Sequence, residues 1–238
     1  MDPGTLVVAA AVMALGAALQ SAVGFGGNLV AAPLLALLDP ALIPVPILIG
    51  STAINVVVAL RERGHSGWTS FGWILAGRVP GSILGLGVLM ALDPSGIQLV
   101  LGLALLLAVV ATWQHWSIPE TRVGLFGAGV VSGVGATSVS VGGPPVALVF
   151  QHRGGAELRA TLARVLLAGQ AVSLVVLALG GRIGGLELGQ GLVLVPGVLL
   201  GSLAGRPLAA ALDQGRTRAA VLVVCAASSL VLLVEAAR

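Results

Sequence analysis

Apolar residues run through this chain in eight blocks, at roughly 4–38, 41–60, 68–91, 96–113, 123–150, 160–180, 186–212 and 218–234. Short polar separators join them: "RERGHSG", "LDPSG", "QHWSIPETR", "QHRGGAELR", "GGRIGGLE" and "LDQGRTR". A helix rises 1.5 Å per residue, so about 20 apolar residues cross the hydrocarbon of a bilayer. Six blocks fit one crossing each. With 57% hydrophobic and 9% charged residues in 238, and a mean hydropathy of +1.08, the chain lies outside the range of soluble domains. It reads as an all-α, multi-pass integral membrane protein, one transmembrane domain over 1–238 surrounded by membrane lipid. The N-terminal block has the apolar core of a signal peptide but no basic flank, so it is expected to be retained and to span.

The first and fifth blocks are longer than one crossing, and each carries a Gly/Ser-rich stretch near its middle. They also match each other. Gly16, Ala17, Ser21, Val23, Gly24, Val30, Pro33, Ala36 and Leu37 recur 111 positions later as Gly127, Ala128, Ser132, Val134, Gly135, Val141, Pro144, Ala147 and Leu148. A second pair, "VPGSILG" at Val79 and "VPGVLLG" at Val195, leads in both cases to an "ALD". The chain is a tandem duplication, with repeats at 4–113 and 123–234 and about eight helical segments.

Charge sets the relative orientation of the halves, because arginine gathers in short cytoplasmic loops. All twelve basic residues are arginine. If each long block enters and returns on one face, Arg61, Arg63, Arg122, Arg153, Arg159, Arg216 and Arg218 share a side, and Arg182 and Arg238 lie opposite. If each crosses once, the loop arginines divide almost evenly. The first arrangement is preferred. It makes the repeats inverted, puts both termini outside and gives each half a broken or re-entrant helix. The net charge of +3 and pI near 11 then reflect topology, and no nucleic-acid partner is expected.

A helix broken inside the bilayer strands backbone polar groups that lipid cannot satisfy, so it is tolerated only where protein or a watery cavity covers it. Breaks at "GFGGN" and "GATSVSVGG" would meet near the midplane, and helix N-termini there present N–H groups and positive dipole ends to an anion. The alternative is that these glycines only permit close helix packing. The expected cradle is the backbone of Gly24, Phe25, Gly26, Gly27 and Asn28 with Gly135, Thr137, Ser138 and Ser140, where Asn28 and the hydroxyls add side-chain donors. Gln20, Asn55, Gln170 and Ser173 are further buried polar candidates.

All nine acids (Asp2, Asp39, Glu62, Asp93, Glu120, Glu157, Glu187, Asp213 and Glu235) fall at or near block ends, whereas Arg78, Arg164 and Arg206 lie inside apolar blocks. An arginine at a helix centre costs about 3 kcal/mol on insertion scales. With no intramembrane carboxylate to offset it, Arg78 and Arg164 are expected to meet a mobile anion; snorkelling to the headgroups is the competing reading, strongest for Arg206. Other residues have plain roles. His65, His115 and His152 sit in loops without a second ligand at metal spacing, and Cys225 is alone in an apolar run, so neither metal nor cofactor is expected. Trp68, Trp73, Trp113 and Trp116 mark block ends as interfacial anchors. "GSILG" and Gly197, Gly201 and Gly205 form small-xxx-small faces, for packing within the protomer or in a homodimer. No nucleophile with a base can be assembled, so the chain is not expected to be an enzyme.

The duplicated "GFGGN...P" and "SGVG...GGPPVAL", the "RGGAELRATL" after the second, and the paired "VPG...LG" segments resemble the TauE/SafE sulfite exporter family, also called TSUP, over essentially the whole chain. The resemblance implies a bacterial inner-membrane carrier of small sulfur-containing anions such as sulfite or organosulfonates, with seven to ten helical segments in two homologous halves. Arg159 in "ELRATL" matches a recurrent family position, which is expected either to lie at the cytoplasmic mouth or to serve only as a positive-inside residue. Asn28, where the family motif often continues with glycine, and the hydroxyl-rich second break depart from the pattern. The expected function is an exporter working by alternating access between the breaks; a passive anion or small-solute channel and a non-transporting scaffold subunit are the alternatives.

Overall fold

The computed structural model describes residues 3–63, 71–114, 116–153, 155–211 and 214–236. The side chains at 3, 23 and 206–222 fall outside that description, and with them Asp2, His65, Trp68, His115, Arg206, Asp213, Arg216, Arg218 and Arg238. Among the described residues there are ten α-helices, one 3-10 turn and no strand. The helices are α1 Pro3–Val23, α2 Gly27–Leu38, α3 Val45–Arg61, α4 Phe71–Ala91, α5 Pro94–Trp113, α6 Arg122–Val139, α7 Gly143–Phe150, α8 Gly155–Leu179, α9 Gly185–Ala211 and α10 Gln214–Ala236. Among the described residues six helices, from α1, α4, α5, α6, α8 and α9, are long and apolar enough to cross a membrane, and the chain is a multi-pass membrane protein.

Eight apolar blocks give ten helices because the two long blocks each divide. The first divides at residues 24–26, where Gly24 and Gly26 adopt φ of 98° and 95°, a region that a Cβ disfavours. The fifth divides at 140–142, with Ser140 at φ 63°. In both, the second helix is in contact with the first. A Cβ on Gly16 of α1 would lie 2.8 Å from the Gly27 carbonyl of α2, and one on Gly142 would lie 2.7 Å from the Ser132 carbonyl of α6. Helix starts follow local chemistry: Asp93 accepts from the Gly96 N–H at 2.8 Å ahead of Pro94, so α5 begins two residues before the apolar block at 96.

Two glycine ridges bring helix backbones into contact. On α4, a Cβ added to Gly77 or Gly81 would come within 2.1 or 2.2 Å of the Phe126 or Val130 carbonyl of α6. On α9, a Cβ on Gly197 or Gly201 would come within 2.4 or 2.0 Å of the Ala10 or Ala14 carbonyl of α1. The small-residue faces therefore pack within the protomer, as lipid-embedded helices do when dispersion replaces the hydrophobic drive. The largest buried cluster joins Met13 and Ala17 of α1 to Val30 and Leu35 of α2, Ile47 and Ile54 of α3, and Leu101 and Leu105 of α5. It holds the first divided block against the core.

Candidate functional site

The two divided segments touch. Asn28, in the first turn of α2, donates from Nδ2 to the Ser140 carbonyl at 2.8 Å, and Ser140 Oγ donates to the Pro44 carbonyl at 2.9 Å. A cavity of about 30 Å³ lies beside this contact, bordered by Gly26, Asn28, Asn55, Arg78, Ser140 and Gln170 among others. Since some 10–15 Å³ by this measure holds one water, the space suits a group of a few heavy atoms.

Among the described residues, Arg78 is the one ionisable side chain in the cavity wall. It sits in the middle of α4 and is 1% exposed. Nη1 donates to Ser132 Oγ of α6, and Ser132 in turn donates to the Gly142 carbonyl between α6 and α7. Nε and Nη2 are buried and have no partner among the described residues. Gly169 of α8 makes room for the guanidinium, since a Cβ there would lie 2.7 Å from Arg78 Cζ and Nε. A charge so placed strongly favours a counter-ion, because its own hydration has been removed.

Opposite it runs a chain of amides that crosses three helices. Gln20 Nε2 of α1 donates to Asn55 Oδ1 of α3 at 2.9 Å, and Asn55 Nδ2 donates to Gln170 Oε1 of α8 at 2.9 Å. Gln170 Nε2 then donates to Ser51 Oγ at 3.0 Å, and Ser51 donates to the Ile47 carbonyl at 2.8 Å. Each amide nitrogen carries a second N–H beyond these bonds. Among the described residues the wall is thus donor-rich and, apart from Arg78, uncharged.

On one side Pro44, which accepts the bond from Ser140 of the cavity wall, also lines a larger opening of about 400 Å³ with Arg182 and Glu187. On the other side three charged residues cover the first break. Arg159 of α8 lies over Gly24, whose Cβ would fall 2.7 Å from Arg159 Cγ, and pairs through Nε with Glu62 Oε1 at 3.1 Å. Arg61 pairs with the same oxygen at 3.0 Å and reaches the Ser21 carbonyl at 3.0 Å. Burial raises the Glu62 carboxyl, but hydrogen bonds and charge from Arg159 and Arg61 outweigh it and hold the carboxyl below its usual range.

Of the residues expected from sequence, Gln20, Gly26, Asn28, Asn55, Arg78, Ser140 and Gln170 border the cavity. Gly24, Phe25, Gly27, Gly135, Thr137, Ser138 and Arg164 do not. Gly27 packs on Gln20, and Phe25 packs against two apolar clusters. Thr137 Oγ1 donates to Ser173 Oγ at 2.9 Å, and Ser138 Oγ bonds back to the Val134 carbonyl at 2.7 Å. Arg164 donates from Nη2 to the Arg63 carbonyl at 3.1 Å, at the far end of α3. The backbone donors expected at 135–140 are used inside α6, whose last turn closes with Ser140 N–H on the Ala136 carbonyl. The helix that starts at this break is α7, and its Pro144 and Pro145 carry no N–H. The described histidine, His152, is exposed, and Trp73, Trp113 and Trp116 are 44%, 71% and 48% exposed.

Sequence reasoning missed Ser132, Gly142, Gly169 and Ser51. Ser132 carried a signal, since it is one of the positions that recur between the halves, as Ser21. Gly169 carried none: in an apolar helix a glycine reads as packing.

A family model described as "Sulfite exporter TauE/SafE" matches residues 8–232 of the chain. No curated protein and no solved structure matches it.

Proposed function

The chain belongs to the TauE/SafE sulfite exporter family, and from that premise we propose that it is a secondary transporter that exports a small sulfur-containing anion, such as sulfite or a small organosulfonate, through the cavity between its two divided segments. The observation that carries this reading is Arg78: a fully buried cation whose Nε and Nη2 lack partners among the described residues, in a cavity wall whose described residues include no acid. An anion satisfies both the charge and the orphaned donors. The amide N–H groups of Gln20, Asn55 and Gln170 complete a shell that takes the place of water.

Alternating access is supported by the two coverings around the cavity. The Ser140–Pro44 contact faces the opening at Arg182, and the Arg61–Glu62–Arg159 cluster faces the arginine-rich side. Family membership favours the inner membrane of a bacterial cell, and the arginine distribution favours an orientation with Arg61, Arg63, Arg153 and Arg159 cytoplasmic and both termini outside. Two inverted repeats, 4–113 and 123–234, rocking against each other would open one covering while the other stays shut. The helix pairing supports the repeats, since α1 against α9 and α4 against α6 are exchanged when each half is replaced by the other.

Counterflow in proteoliposomes tests the reading. Saturable uptake of radiolabelled sulfite, accelerated by unlabelled sulfite inside, is expected of wild type and not of Gly26→Val, whose φ of 95° a β-branched residue cannot adopt without strain. Uptake without saturation or counterflow would instead indicate a channel. No uptake by folded wild type would indicate a scaffold.

A further inference from the structure

The cavity's acceptor, rather than its donors, narrows the ligand. Asn28 Nδ2 must face the Ser140 carbonyl, because a carbonyl can only accept; Asn28 Oδ1 is therefore fixed on the other side, where it is buried and has no partner. An unmet acceptor beside an anion site is unfavourable for a fully deprotonated oxyanion, whose oxygens also only accept. Charge points the same way. Among the described residues Arg78 is the one cation in the wall, and the residue before the second "VPG", in the place Arg78 holds before the first, is Leu194. One cation balances one negative charge, and a dianion would leave a charge uncompensated in a low-dielectric site.

We propose that the site selects a singly charged oxyanion that keeps one hydroxyl proton, for sulfite the O-protonated hydrogensulfite ion. Asn28 Oδ1 accepts that proton's hydrogen bond, and Arg78 Nε and Nη2 hold the charged oxygens. The inference rests on the carrier reading above and makes Asn28 a specificity-determining residue.

The test is the initial rate of uptake into proteoliposomes, across a pH series through the second ionisation of sulfurous acid near neutrality, of sulfite and of methanesulfonate. Methanesulfonate is a monoanion without a hydroxyl, and its rate reports any effect of pH on the protein. Corrected for that control, sulfite uptake is expected to follow the hydrogensulfite concentration and to fall as pH rises. Asn28→Leu is expected to reduce the preference for sulfite over methanesulfonate by about tenfold, the scale of one hydrogen bond to a charged group. Uptake that follows the dianion concentration, or an Asn28→Leu variant that keeps the wild-type preference, overturns the inference and leaves the carrier intact. Absence of saturable uptake of either anion at every pH overturns both.

Discussion

The proposed role of Arg78 needs an arginine because its three nitrogens are engaged differently: Nη1 is tied to Ser132, while Nε and Nη2 have no partner among the described residues. A lysine offers a point charge without that fork, so Arg78→Lys is expected to keep the fold and to weaken sulfite binding roughly 10- to 100-fold, measured by calorimetry. Gly169→Ala tests the same geometry without touching charge. Its Cβ would lie 2.7 Å from Cζ, so the guanidinium must move, and the variant is expected to bind sulfite more weakly while its Tm changes by no more than an overpacked site of about 1–3 kcal/mol allows. Arg78 was legible in the sequence, being deep in an apolar block with no acid in reach. Gln20, Asn55 and Gln170 were legible as polar residues in greasy helices; their joining into one chain was not, because it depends on how α1, α3 and α8 turn toward each other.

At the scale of elements, the divided blocks were visible as over-long apolar runs with glycine at their middles, because no single crossing needs 35 residues numbered 4–38. Which ends of the resulting helices face the cavity was not visible: residues 135–140 close α6 rather than open a helix, and that depends on where Ser140 turns. The ionic cluster over Gly24 binds α3, α8 and the first break together, and its strength depends on Glu62 being ionised. With its folded pKa lowered, Glu62 adds stability that is fully present above the ordinary carboxylate pKa and is lost as pH falls through the lowered value. Wild type is therefore expected to unfold at higher temperature than Glu62→Gln at neutral pH, and the two melting curves should converge in acid. A difference that persists unchanged at low pH would show that the carboxylate charge is not what holds these elements. The glycine ridges make a second expectation: Gly201→Leu, whose Cβ alone would sit 2.0 Å from the Ala14 carbonyl, should separate α1 from α9 and lower Tm by more than the same change at Gly87, where a Cβ meets nothing.

Over the whole molecule, the proposed inverted repeats do not share the cation: Arg78 belongs to the first of them, so the proposed anion site lies to one side of the relation between them, beside α4 and α6. Carrying a single negative charge outward is favoured by about 2.3 kcal/mol per 100 mV when the inside is negative. Sulfite efflux from proteoliposomes is accordingly expected to accelerate when an inside-negative potassium diffusion potential is imposed, and a rate indifferent to potential would show that another ion moves with the anion. The claim on which all of this depends is that Arg78, and not another membrane arginine, holds the ligand. Equilibrium binding of sulfite to the purified protein, compared among wild type, Arg78→Gln and Arg164→Gln, decides it. The account predicts one site per chain in wild type and Arg164→Gln, and none in a folded Arg78→Gln. Binding that survives in Arg78→Gln, or is lost in Arg164→Gln, would contradict it.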